Sequence, residues 1–146
     1  MANQTNIQED VVIWGKQFIT RMEVRGYELD SFGHVNNAVY LNYLEQARWE
    51  LVKEVGLLAE MKEKSLFAVV TSLTIKYIRE LKLFDNIEII SKFTVARAPF
   101  LTFKHEILIA GFGKKACTAK VDLLLIDDQK IAHDCPNDIL KRLMGS

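Results

Sequence analysis

The sequence has no excess charge of either sign and very few cysteines. Its 146 residues include 19 lysines and arginines against 19 aspartates and glutamates, so the formal net charge is zero. We expect no nucleic-acid partner, because there is no basic field to hold a phosphate backbone. The only cysteines are Cys117 and Cys135, and their spacing matches no metal-binding motif.

Long hydrophobic runs and a secretion signal are also lacking. No apolar segment approaches the roughly 18 residues that indicate a membrane-spanning helix. The first ten residues, MANQTNIQED, have neither the positive start nor the apolar centre of a signal peptide. We therefore expect a protein without a membrane span, located in the cytoplasm.

Apolar material is plentiful enough for one core. Hydrophobic residues make up 49% of the chain, which suffices for a single domain over residues 1–146 without disulfide or metal staples. The polar N-terminal segment lacks periodicity, so residues 1–15 are expected to form a loose arm.

The hydrophobic pattern predicts one strand, one long helix and then about four strands. Apolar and polar residues alternate from Phe18, as in a strand. The helix should begin at Asn36 or Asn37, which can cap it, and end at Val55 before Gly56. Seven apolar residues follow at helical spacing: Tyr40, Tyr43, Leu44, Ala47, Leu51, Val52 and Val55. Segments 67–78, 86–96, 100–110 and 115–126 are rich in β-branched and aromatic residues, as strands are.

This order of elements predicts an α+β domain. The short spacers between the later strands favour antiparallel hairpins, with the one long helix packed across a curved sheet. The charged segment MKEKS, residues 61–65, is expected to be a connection. CPNDIL should start a small C-terminal helix capped by Asn137 or Asp138.

Metal and cofactor sites are not expected. The three histidines, His34, His105 and His133, lie far apart in the sequence, and no pair has the HExxH spacing. The glycines of GFGKK precede another strand, so they indicate a hairpin turn rather than a nucleotide-binding loop. His105 and His133 are expected to be structural or solvated, whereas His34 is a neighbour of Asp30.

Asp30 stands between the first strand and the helix. An aspartate in such a loop is most often a turn or cap residue. A helix start also presents unpaired N–H groups and a partial positive charge, which can stabilise an oxyanion. A carboxylate beside it can activate water or attack a carbonyl carbon itself, so hydrolysis of an acyl compound is the second possibility.

The segment ELDSFGHVNNAVYLNYLEQARWELV resembles the signature of hotdog-fold thioesterases of the 4-hydroxybenzoyl-CoA thioesterase type. The pattern D-x-x-G-H-V-N-N-x-x-Y is that of the long-chain acyl-CoA thioesterase branch. Weaker similarity extends over YIRELKLFDNIEIISKF and KACTAKVDLLLIDDQKIAHDCP. The resemblance implies a hotdog fold, a curved antiparallel sheet wrapped around one long central helix.

It further implies hydrolysis of acyl-CoA or acyl carrier protein (acyl-ACP) thioesters, with Asp30 as general base or nucleophile. The N–H near Asn37 would bind the thioester carbonyl, while the Asn37 side chain, an amide, cannot transfer protons. Supporting motif residues are Gly33, His34, Asn36 and Glu45, and residues bordering the acyl pocket are Tyr40 and Tyr43. Glu45 is either a rival carboxylate or the ion-pair partner of Arg48. A homodimer or homotetramer is expected.

Two alternatives remain open. One is a non-catalytic acyl-CoA-binding hotdog module, such as a regulator, although the N-terminal arm supplies no DNA-binding segment. The other is a hotdog hydratase or dehydratase. That chemistry needs a matched aspartate and histidine, a pattern that the sequence around Asp30 resembles less.

Overall fold

The computed structural model describes residues 13–145. Within this range the strands are β1 (Phe18–Glu23), β2 (Phe67–Tyr77), β3 (Asn86–Thr94), β4 (Leu101–Ile109), β5 (Lys114–Ile126) and β6 (Ala132–His133). The helices are α1 (Asn37–Glu54), α2 (Leu57–Glu63) and α3 (Asn137–Leu143), with one turn of 3-10 helix at Gly26–Glu28.

All six strands belong to one antiparallel sheet. Their order is β1-β3-β4-β5-β2, and the short β6 pairs with β5. Hairpins join β3 to β4 and β4 to β5, whereas the connection after β2 carries the chain from one side of the sheet towards the other. Register shifts at Val70/Ser72 and Ile107/Leu108 mark bulges, which bend a sheet. The predicted α+β fold with one long helix is confirmed.

Helix α1 begins and ends where its sequence predicts. The Asn36 side chain caps it by accepting a hydrogen bond from the Ala38 N–H at 3.0 Å. Gly56 ends it with a φ of +87°, a conformation that glycine adopts without strain. Its 18 residues span roughly 27 Å, enough to cross the sheet.

The buried side chains form two clusters, one under each half of α1. The first half packs Tyr40, Tyr43, Leu44 and Ala47 against Val24, Ile87, Ile89 and Ile107. The second half packs Leu51 and Val55 against Phe93, Phe103, Val121 and Leu125. Burial of this apolar surface holds both ends of α1 on the sheet. None of the helices described between residues 13 and 145 has the length and hydropathy that crossing a membrane requires.

Two local features differ from the sequence prediction. Helix α2 extends into the first three residues of MKEKS, which were expected to be a connection. It forms because Leu57 and Met61 lie four residues apart and are both buried. Helix α3 begins after Pro136, and no side-chain cap from Asn137 or Asp138 forms. A proline suits a helix start, since the first N–H groups have no partner within the helix.

Most of the predicted N-terminal arm, residues 1–12, lies outside the described residues. Of the remainder, the Gly15 N–H donates to the Phe93 carbonyl oxygen at 2.9 Å. The Ile13 carbonyl oxygen accepts a hydrogen bond from Thr94 Oγ1 at 2.8 Å. Residues 13–15 therefore lie against the end of β3. The single domain over residues 1–146 stays a prediction.

Candidate active site

Asp30 begins the loop that precedes α1 and accepts hydrogen bonds from later residues of that loop. Its Oδ1 accepts hydrogen bonds from the N–H groups of Phe32 at 2.9 Å and His34 at 3.2 Å. The Gly33 N–H donates to the Asp30 carbonyl oxygen at 3.1 Å, and Gly33 has a φ of +82°. Asp30 is therefore a turn residue, as its position predicts. Its other oxygen, Oδ2, has no hydrogen-bond partner within residues 13–145.

Asp30 and the start of α1 line the same opening, which has a volume of about 230 Å³. The loop and α1 contribute Asp30, His34, Val35, Asn37 and Tyr40 to its wall. The end of β2 and the residues after it contribute Tyr77, Ile78, Arg79 and Glu80. The structure thus brings the two predicted catalytic residues together with one of the two predicted substrate-binding tyrosines.

Asn37 is the first residue of α1. The Asn36 side chain bonds the N–H of Ala38, and the Asn37 N–H has no acceptor in the described part of the chain. Such free donors are a general property of the first helical turn. Tyr77 Oη donates to the Asn37 carbonyl oxygen at 2.8 Å, which ties the end of β2 to this turn. Asn37, whose N–H is free and lies at the positive end of the helix dipole, therefore lines the same opening as Asp30.

His34 joins the loop to the segment that follows β2. Its Nε2 lies 2.9 Å from Glu80 Oε2, and its backbone forms a bridge with Lys82. The imidazole is thus engaged by a carboxylate other than Asp30. This arrangement holds the two walls of the opening together.

The two tyrosines predicted to bind substrate lie in different environments. Tyr40 lines the opening, its hydroxyl donates to the Arg79 carbonyl oxygen at 3.4 Å, and burial raises its pKa to about 12. Tyr43 is only 1% exposed and donates to Glu28 Oε1 at 2.8 Å. Burial favours the neutral acid, but hydrogen bonds from Arg25 and Tyr43 hold the pKa of Glu28 below its ordinary value. Tyr43 therefore anchors the core beside the site and does not line the opening.

Glu45 lies away from Asp30, on an apolar groove of about 560 Å³. The groove runs between the second half of α1, α2 and the start of β2, and its wall includes Val52, Leu58, Met61, Phe67, Val70 and Leu123. Glu45 accepts a hydrogen bond from Trp49 Nε1 at 3.4 Å. The alternative ion pair with Arg48 does not form among residues 13–145. Within one chain, Glu45 and Asp30 serve different cavities.

Three polar residues that line the opening were not predicted from the sequence as site residues: Tyr77, Arg79 and Glu80. They lie at and just beyond the end of β2, where the sequence predicted a strand as far as residue 78 and showed a weaker family resemblance, but indicated no site. Nothing local connects that segment with Asp30, because only the fold brings the end of β2 beside the start of α1. No group of three or more His, Cys, Asp or Glu that could hold a metal ion occurs in the described chain.

Known proteins similar to this chain include several thioesterases. Residues 24–143 match the family model of the Thioesterase-like superfamily. The chain is 32% identical over 108 residues to the Long-chain acyl-CoA thioesterase FadM of Escherichia coli (strain K12), covering 74% of this chain and 82% of FadM. It is 34% identical over 124 residues to the Acyl-acyl carrier protein thioesterase ATL3, chloroplastic, of Arabidopsis thaliana, covering 84% of this chain and 65% of ATL3.

A solved structure agrees with the fold as well. The YbaW probable thioesterase from Escherichia coli superposes with a TM-score of 0.78 at 28% identity, covering 86% of this chain and 98% of YbaW. The predicted hotdog architecture is therefore confirmed, and thioester hydrolysis is favoured over the binding-only and hydratase alternatives. The chain belongs to the thioesterase-like superfamily and is a hotdog-fold enzyme that hydrolyses acyl thioesters.

Proposed function

We propose that this thioesterase hydrolyses acyl-CoA, with Asp30 as its catalytic carboxylate and the Asn37 N–H as its oxyanion donor. The observation that carries the proposal is the shared opening, which both residues line. Asp30 uses Oδ1 to hold the loop and keeps Oδ2 for chemistry. The loop bonds to Phe32 and His34 keep the carboxylate in place while the substrate binds.

In the proposed reaction, the thioester carbonyl oxygen accepts a hydrogen bond from the Asn37 N–H. Asp30 acts by one of two routes. As a general base it removes a proton from water while the water oxygen bonds to the carbonyl carbon. As a nucleophile it bonds to that carbon itself, and water then cleaves the resulting anhydride. In both routes the carbon–sulfur bond breaks, the thiolate takes up a proton, and the carboxylic acid is released.

Coenzyme A is the proposed acyl carrier, with acyl carrier protein as the alternative. The similarity to FadM covers a larger share of that relative than the similarity to ATL3 does. Both carriers present a thioester on a phosphate-bearing arm. Arg79, an exposed cation at the opening, can bind a phosphate of either arm.

The apolar groove is the proposed site of the acyl chain. Within one chain the groove includes Phe67 at the start of β2, whereas the catalytic opening includes Tyr77 at its end. The outer edge of β2 pairs with no strand in the described residues. Antiparallel pairing of two β2 edges about Ser72 would place Tyr77 of one copy opposite Phe67 of the other. The opening of one copy would then meet the groove of the second.

A homodimer, or a tetramer of paired dimers, follows from this proposal. Edge strands with exposed apolar residues tend to pair, and on β2 Phe67, Val69 and Val70 are 57%, 40% and 46% exposed. Light scattering at micromolar concentration should give at least the dimer mass. Val69→Lys should shift the protein towards the monomer and lower its activity. A monomeric mass for the parent would contradict the proposal.

The deciding experiment is a thiol-release assay over acyl-CoA chain lengths, with aromatic acyl groups and acyl-ACP included. Asp30→Asn should lower kcat by roughly 10²–10⁴-fold, the range for loss of a catalytic acid or base. The fold should survive, because the asparagine oxygen can still accept the two loop hydrogen bonds. Asp128→Asn, on the exposed turn after β5, is the matched control. Unchanged turnover in Asp30→Asn would refute the assignment.

The cytoplasm is the proposed location. Cys117 and Cys135 are free and buried, and burial raises the pKa of each thiol to about 12. Such unpaired thiols suit a reducing compartment. Cell fractionation with compartment markers tests this, and recovery with an extracytoplasmic marker would contradict it.

A further inference from the structure

Arg48 places a positive charge in the wall of the apolar groove. The side chain is half-buried, and its hydrogen bonding within residues 13–145 consists of one long contact, 3.5 Å from Nη1 to His105 Nε2. It forms no ion pair with a described carboxylate. A guanidinium carries five N–H donors, so most of them remain available towards the groove.

His105 does not supply a compensating charge. Its side chain is fully buried, its Nδ1 lies 2.8 Å from Ser91 Oγ, and its ring stacks on Phe103 at 5.9 Å. Burial, together with the nearby charge of Arg48, lowers the pKa of His105 to about 3. The imidazole is therefore neutral near pH 7. It holds one side of the guanidinium and leaves the rest unpaired.

An unsubstituted alkyl chain bound in the groove would offer the Arg48 guanidinium no hydrogen-bond acceptor. Taking a guanidinium out of water costs free energy unless its donors are bonded, and burial lowers the pKa of Arg48. The other charged groups of the groove wall are Glu45 and Lys62. Glu45 lies near enough for its charge to raise the pKa of Arg48, but its hydrogen bond is to Trp49 and it bonds no N–H of the guanidinium. Lys62 is exposed on α2. A ligand oxygen is the partner that would satisfy Arg48.

We propose that Arg48 makes this enzyme selective for acyl groups that carry an oxygen function, a hydroxyl or a carboxylate, distal to the thioester. The apolar wall would enclose the methylene chain, and the guanidinium would donate to the distal oxygen. This inference rests on the proposed function, since it takes the groove as the acyl site. A pocket built to bond an oxygen discriminates against an analogue that lacks it, because its own polar groups are then left unpaired.

The test compares acyl-CoA substrates of equal length that end in a methyl, a hydroxyl or a carboxylate. Parent kcat/KM should be at least about tenfold higher for an oxygenated chain than for its methyl counterpart, since hydrogen bonds to charged groups are stronger than those between neutral groups. Arg48→Gln should lower kcat/KM for the oxygenated substrates by roughly 10–100-fold and change the methyl series by less than about threefold. Arg48→Lys should retain part of the preference.

Lys53→Gln is the matched control, because Lys53 is an exposed cation on the same helix that does not line the groove. It should leave both series unchanged. A parent without preference for oxygenated chains would overturn the inference, and so would an equal loss on both series in Arg48→Gln. The first of these results needs no variant and holds even if Arg48→Gln fails to fold.

The inference and the proposed function fail in different ways. If the parent hydrolyses methyl-ended acyl-CoA at full rate without preferring oxygenated chains, only the role of Arg48 is wrong. If the parent hydrolyses no acyl-CoA, the proposed function fails. Calorimetric binding of the same ligands to the parent and Arg48→Gln then tests Arg48: tighter binding of oxygenated chains to the parent alone supports it, and equal binding overturns it.

Discussion

The two ends of helix α1 border cavities of opposite character. At its start the opening is polar and combines the free N–H of Asn37 with the Asp30 carboxylate. Towards its end the groove is mostly apolar and holds the half-buried Arg48. The difference follows from helix geometry, because only the first turn leaves N–H groups unpaired. Farther along α1, the backbone N–H groups bond to carbonyl oxygens within the helix, so only side chains can bond a ligand.

The buried polar groups near the two ends of α1 also differ in charge. Near the start, Glu28 stays ionised because Arg25 and Tyr43 both donate to it. Near the groove, His105 stays neutral because it is buried and lies beside Arg48. A charged network therefore supports the start of α1, whereas the imidazole beside the groove is neutral and adds no charge to that of Arg48.

The charged network at the start of α1 should be the most sensitive to substitution. Glu28→Gln replaces a carboxylate that is only 5% exposed, and it weakens the hydrogen bonds from Arg25 and Tyr43. We expect the free energy of unfolding in urea to fall by about 2 kcal/mol. Glu63→Gln, on the exposed face of α2, is the control. Equal stability of the two variants would show that the network is not required.

Filling the groove should affect substrate choice and leave the opening at the start of α1 unchanged. Leu58→Trp adds bulk to the groove wall from α2, so we expect kcat/KM for long acyl chains to fall about tenfold or more, equivalent to about 1.4 kcal/mol. Short acyl chains should react as before. Ala59→Trp places the same side chain at the neighbouring exposed position outside the groove. Equal losses for short and long chains would argue against the groove as the acyl site.

The neutral His105 should make stability depend on pH. Its pKa is about 3 in the folded protein and about 6.5 when unfolded, so the unfolded state binds the extra proton first. Its contribution is complete above pH 6.5 and is lost as the pH falls towards 3, at up to about 1.4 kcal/mol per unit. The free energy of unfolding, measured with urea at several pH values, should depend less steeply on pH for His105→Gln than for the parent. Equal pH dependence of the free energy of unfolding in His105→Gln and in the parent would contradict the assignment.

The smallest effect on activity is expected from removing the hydrogen bond between the Tyr77 hydroxyl at the end of β2 and the first turn of α1. Tyr77→Phe removes the hydroxyl that donates to the Asn37 carbonyl oxygen, while the ring can still pack on Tyr40. Because Tyr77 is 44% exposed, we expect a loss of only about 0.5–1 kcal/mol in transition-state stabilisation, seen as a severalfold drop in kcat. A drop as large as that of Asp30→Asn would mean that Tyr77 takes part in the chemistry.

Local chemistry made much of the fold predictable. Asn36 caps α1 and Gly56 ends it, because both act on backbone groups within a few residues. Helix α2 was missed because its sequence is highly charged and its two buried residues, Leu57 and Met61, find their partners only in the folded core. The β2 strand was predicted, but its place at the sheet edge was not.

The loop and helix start of the candidate site could be read from one continuous segment. Asp30 and Asn37 are close in the sequence, so the turn, the cap and the free N–H between them follow from short-range hydrogen bonds. The other wall, with Tyr77 and Glu80, depends on the sheet order, which brings the end of β2 to the start of α1. The contact between Arg48 and His105 likewise joins a helix to a distant strand. Such neighbours are set by long-range packing and strand pairing, which no local pattern of residues encodes.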